Sequence, residues 1–208
     1  MGLVRTSTPD AVLTAAECYK HLKVEGDVAA EDADLIATLL SAATGYVENA
    51  CNLQLCTATW EWTRDSFYVE TKQPDPTRAG YTGGCNHGLT LLLPRWPVSA
   101  VSIAYLDSAG DSQTLAGSSY RLDTKGKPAR LTPAYGQSWP TTRDVTNAVT
   151  ITVTAGYGAA GAVPDLLKSA IKIMLAHWYL RRELTVQGQL AEVPESVGSI
   201  LGQFRVEV

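Results

Sequence analysis

The residues able to do chemistry are few, and their spacing is poor for it. The histidines are His21, His87 and His177, and the cysteines are Cys18, Cys51, Cys56 and Cys85. Cys85-Asn86-His87 sets a thiol and an imidazole close together in a glycine-rich stretch. Near neighbours on a loop rarely hold the geometry that a nucleophile and its base require. His177 has no second histidine three or four residues away, as a helical metal site would want, and its place beside Trp178 fits packing or an interface. The cysteines show neither a Cys-x-x-Cys pair nor zinc-ligand spacing. Cys51 reads as a small buried hydrophobe at a helix end. Gly156-Tyr157-Gly158 has the glycines of a phosphate loop but lacks the Lys-Ser/Thr that would follow. It reads instead as a strand-to-helix joint where glycine permits unusual backbone angles, flexible enough to let segments reorder on docking. The expectation is no catalytic residue, no metal and no cofactor.

Composition narrows the classes further. The chain has 208 residues, 45% of them hydrophobic, and a net charge of −4. That is ordinary globular composition without the basic footprint of a DNA-gripping protein. Glu31, Asp32 and Asp34 form no metal-ligand pattern and fit the N-terminus of a helix. Lys20 with Lys23, and Arg181 with Arg182, fit solvated faces or helix C-termini better than phosphate contacts. The N-terminus is too short and polar for a secretory signal, and no stretch reaches the ~18 apolar residues of a membrane span. A soluble chain with reduced thiols, made in a cytoplasm, is expected.

The elements that must position these residues follow from periodicity. Leu13 to Val24 suggests a short helix, with Thr14 as N-cap and Glu17 completing a capping box. Ile36, Leu39, Leu40, Ala43, Val47, Ala50 and Cys51 recur at helical spacing, ending near Asn52. The period then changes to two at Thr57–Arg64, where Trp60 and Trp62 share a face. Residues 71–88 are loop-like. Strands are expected at Leu89–Leu93, Val98–Leu106, Ser112–Leu115, Tyr120–Leu122, Ala129–Thr132 and Ala148–Thr154, with a turn at Asp107–Asp111. The fold class is therefore α+β. Residues 1–56 form an N-terminal helical part, 57–155 an inserted small antiparallel β subdomain, and 156–208 a C-terminal helix with an extended tail that packs with 1–56.

One further helix opens at Pro164 and runs to about Glu183. Proline suits its first position, Asp165 its first turn, and Arg181 and Arg182 its last. Leu167, Ile171, Met174 and Trp178 make one apolar stripe, and Leu166, Ala170, Ile173 and His177 a second beside it. This exceeds the single stripe of an ordinary surface helix, so the helix is expected to pack on two sides. Trp178 and Tyr179 are the expected anchors, against a neighbouring copy or against the chain's own helical core, with Arg182 beside them. In the tail, Ile200, Leu201 and Phe204 are apolar without an evident local partner and join the candidate interface. Deleting residues 194–208 is expected to abolish attachment while leaving the fold soluble.

Taken in order, several segments resemble a family. They are Leu13-Thr14-Ala15-Ala16-Glu17-Cys18-Tyr19-Lys20-His21-Leu22-Lys23-Val24, Asp34 through Val47-Glu48, and Leu92-Leu93-Pro94-Arg95-Trp96-Pro97-Val98. They continue with Pro128-Ala129-Arg130-Leu131, Tyr135-Gly136-Gln137-Ser138-Trp139-Pro140, Ala155-Gly156-Tyr157-Gly158, Val163-Pro164 and His177-Trp178-Tyr179 with Arg182-Glu183. The chain resembles the head–tail connector proteins, or head-completion adaptors, of tailed bacteriophages and gene transfer agents. The resemblance implies a virion protein and no enzyme, forming a ring of about twelve copies. It implies docking on the portal protein, a tail-side neck/stopper or tail terminator protein as the next partner, and a DNA channel extended towards the tail without sequence-specific binding. It places the protein in the virion neck, and in the host cytoplasm during assembly, with no membrane partner. An acidic chain suits a channel through which DNA slides. Two other readings compete. One is a ligand- or partner-binding module using Trp96, Tyr135 and Trp139 of the β insertion; the other is a hydrolase using Cys85 and His87.

Overall fold

The computed structural model describes residues 2–67, 90–181, 185–186, 189–190 and 194–207. The 71–88 loop, Cys85, His87, Arg182 and Glu183 lie outside the described residues. The chain divides into two compact units, one built from residues 1–8 and 58–155, the other from 9–57 and 156–207.

In the β unit, five antiparallel strands form one sheet: β1 (Gly2–Arg5), β2 (Ala58–Arg64), β8 (Val149–Ala155), β4 (Val98–Leu106) and β5 (Ser112–Thr114), in that spatial order. A second sheet holds β3 (Leu91–Leu92), β7 (Arg130–Pro133) and β6 (Tyr120–Asp123) in the order β3-β7-β6. Strict alternation on β2 and β8 buries every second side chain. Register then aligns Trp62, Ile151 and Ile103 in one row, and Leu91, Leu131 and Leu122 in another. Both rows contribute to one core with Phe67, Leu93, Val149 and Val153. Burying such large side chains from both sheets is what stabilises so small a unit. β1 is absent from the sequence expectations. It pairs with β2, so the first residues belong to the β unit and not to the helical part. Four residues with a half-exposed burial pattern carry too weak a period to be read.

In the helical unit, α1 (Ala15–Leu22) starts on the expected capping box: the Thr14 hydroxyl accepts from the Glu17 N–H, and the Glu17 carboxylate accepts from the Thr14 N–H at 2.8 Å. A six-residue helix, α2 (Gly26–Glu31), precedes α3 (Ala33–Cys51), which ends at Asn52 with φ 54°. α4 (Asp165–Leu180) and α5 (Glu195–Phe204) pack on α3 and on each other, and α1 packs on both α3 and α4. Two short strands, β9 (Thr185–Val186) and β10 (Gln189–Leu190), pair between α4 and α5.

The Gly156–Gly158 joint is a fixed corner of this unit. Tyr157 N–H donates to the Leu55 carbonyl and Thr57 N–H to the Gly158 carbonyl, each at 2.9 Å. Gly156 has φ 134°, and a Cβ there would lie 2.6 Å from the Thr57 Cα. The glycines supply left-handed backbone and close approach, as expected, and these hydrogen bonds tie the joint to residues 55–57.

Candidate functional site

α4 shows which of its two apolar stripes its own chain uses. Leu167, Ala170, Ile171, Met174 and Leu175 are buried. Leu166 remains 49% exposed and Leu180 79%, with half-buried Ile173 midway between them. Successive members of this strip are seven residues apart, so all three lie on one side of the helix. The surplus apolar surface is thus real, but narrower than the sequence implied.

The expected anchors meet the chain's own helical core, one of the two surfaces expected of them. Trp178 is half-buried, its ring edge-on to Tyr46 of α3 with centroids 6.5 Å apart. The Tyr179 hydroxyl donates to the Asp32 carboxylate at the start of α3. Both side chains therefore engage their own unit. The tail also has local partners. Leu201 is 7% exposed and Val197 fully buried, because α5 lies on α3 and α4. The chain beyond α5 is clasped to the end of α3: Val206 N–H donates to the Cys51 carbonyl at 2.9 Å, and the Asn52 amide donates to the Val206 carbonyl at 2.8 Å. Ile200 and Phe204 stay half-buried. Removing residues 194–208 would uncover the apolar surface that Val197, Leu201 and Val206 cover.

Burial pushes the Cys18, Cys51 and Cys56 thiols above their ordinary range, which disfavours the nucleophilic thiolate. His177 Nε2 is buried and has no hydrogen-bond partner among the described residues. Among the described residues no group of His, Cys, Asp or Glu is arranged to hold a metal ion. No described helix is long and apolar enough to cross a membrane.

The aromatic residues of the β unit are committed to packing. Trp139 is 3% exposed and stacked on Phe67, centroids 4.9 Å apart at 5°. Arg95 lies over Trp60 at 4.5 Å, Arg64 over Trp62 at 4.9 Å and Lys127 over Trp96 at 4.2 Å. The two arginine contacts give buried guanidinium groups an aromatic face in place of water. Tyr135 alone of the proposed ligand aromatics stands fully exposed, so the binding-module reading loses its aromatic face.

Two features escaped the sequence reading. Glu48, 4% exposed inside α3, accepts from the Gln54 amide at 2.7 Å and the Leu55 N–H at 3.0 Å. Nothing in the sequence sets this carboxylate apart from a solvated helix residue. The other is a groove of about 480 Å³ on the β3-β7-β6 sheet, with Arg121, Lys125, Arg130, Asp123, Thr90 and Thr132 in its lining. The basic residues from 121 to 130 were its available signal.

The fold so assembled defines a class: a bundle of helices with an antiparallel β unit inserted between the third and fourth of them. Within it the chain is similar to a chain of the neck of an empty gene transfer agent (GTA) particle computed with C6 symmetry, at TM-score 0.76 and 22% identity, covering 100% of this chain and 97% of that one. It is similar, at TM-score 0.70 and 22% identity with the same coverage, to a chain of the neck of a native GTA particle computed with C12 symmetry. A chain from the virion of a native GTA particle matches at TM-score 0.72 and 20% identity. No protein-family model and no curated protein sequence matches the chain. The likeness establishes a shared α+β fold over the whole length.

Proposed function

We propose that the chain is a structural, non-catalytic subunit of a particle neck: a head–tail connector forming a ring of about twelve copies. It docks on the portal, extends the DNA channel towards the tail and hands over to a tail-side neck/stopper or tail terminator protein. One observation carries this reading. After α4 has packed its own core it still presents Leu166, Ile173 and Leu180 in line, on a fold shared with neck structures of C6 and C12 symmetry. The neighbouring copy is the natural cover for that strip. Burying a leucine contributes roughly 1.5–3 kcal/mol relative to exposure.

The test is Leu166→Ser with Leu180→Ser, followed by native mass spectrometry and electron microscopy of assembly on portals. Ring formation should weaken by at least about tenfold per leucine, as about 1.4 kcal/mol each implies. The circular dichroism spectrum should not change, because neither leucine is part of the buried core. Undiminished rings would refute this assignment of the interface.

A further inference from the structure

We propose that the basic groove of the β unit receives the acidic α2–α3 segment of a second copy of the chain, a contact that rests on the ring reading and gives the ring its direction. The charges of this acidic chain are segregated. No lysine or arginine occurs between Lys23 and Arg64, whereas Glu25, Asp27, Glu31, Asp32 and Asp34 crowd the start of that stretch. Arg121, Lys125, Lys127 and Arg130 fall within ten residues interrupted by one carboxylate, Asp123.

The structure shows how much of each charge is already used. Asp123 is spent on Arg130, at 2.6 Å. Arg121 and Lys125 are exposed, and among the described residues no carboxylate lies within ion-pair distance of either. Both line the groove. On the other unit, Glu25, Asp27, Glu31 and Asp34 are exposed, while Asp32 accepts from Tyr179. Neither Glu25 at α2 nor Asp32 at α3 makes a side-chain cap hydrogen bond, and Asp27 and Asp34 sit in first helical turns, where the helix dipole favours them without neutralising them.

A closed ring of more than two copies repeats one contact between two different patches of the subunit. Opposite charges on the two units suit that need in two ways. They attract groove to helix segment, and they repel groove from groove, which disfavours two-fold dimers. The α4 strip alone supplies no such direction.

Charge reversal tests this in the full chain. Arg121→Glu with Lys125→Glu, and separately Glu31→Lys with Asp34→Lys, should each weaken ring formation by about tenfold or more, and the combined reversal should restore it. Native mass spectrometry across a salt series is the readout, and rising salt should weaken the wild-type ring. Wild-type rings indifferent to both reversals would overturn this contact and leave the ring reading standing. A wild type that stays monomeric at every soluble concentration and on portals would overturn both. Groove reversal that spares the ring but abolishes retention of duplex DNA would assign the groove to phosphodiester groups and overturn the contact.

Discussion

Glu48 and Tyr157 carry titratable groups into the interior of the helical unit. A buried carboxylate survives only when its oxygens are satisfied, and Glu48 spends itself on the Gln54 amide and the Leu55 N–H. Glu48→Ala should cost about 1–3 kcal/mol in urea unfolding, because two buried donors lose their acceptor. Glu48→Gln, which keeps an acceptor oxygen, should lose less. Burial pushes the Tyr157 phenol up to about 12. In the unfolded chain it ionises near pH 10, so its contribution is complete below that pH and is lost as pH rises to about 12. Unfolding titrations of Tyr157→Phe should therefore show a flatter alkaline limb than wild type, the buried thiols acting equally in both. Neither residue was legible as important in the sequence. A titratable group inside a helix or beside a glycine looks the same there whether water or packed backbone surrounds it.

Elements were read with more success where a local rule decided them. The Thr14–Glu17 capping box and the alternation of β2 and β8 depend on neighbours a few residues apart, and the structure shows both. Half of the α4 reading was equally legible: its surplus apolar side exists, at Leu166, Ile173 and Leu180. Which surface its anchors meet was not, because Trp178 and Tyr179 contact Tyr46 and Asp32, more than a hundred residues away in sequence. β1 and the α5 clasp escaped for the same reason. Their partners, β2 and the end of α3, lie far along the chain. The Gly156 corner offers a prediction at this scale. Gly156→Ala would press a Cβ against the Thr57 backbone in a left-handed conformation, and should cost about 1–3 kcal/mol. Gly161→Ala, where nothing lies within 4 Å, should be near neutral by the same denaturation assay.

At the scale of the molecule, the proposed ring divides the work of assembly between the two units. The helical unit offers an apolar strip and an acidic segment; the β unit offers a basic groove and an exposed Tyr135. The central claim is that copies of this chain close into a ring on a portal. Electron microscopy of the purified chain mixed with portal assemblies tests it most directly. The account predicts a closed ring of about twelve copies seated on one end of each portal. Bare portals beside a monodisperse monomer would contradict it.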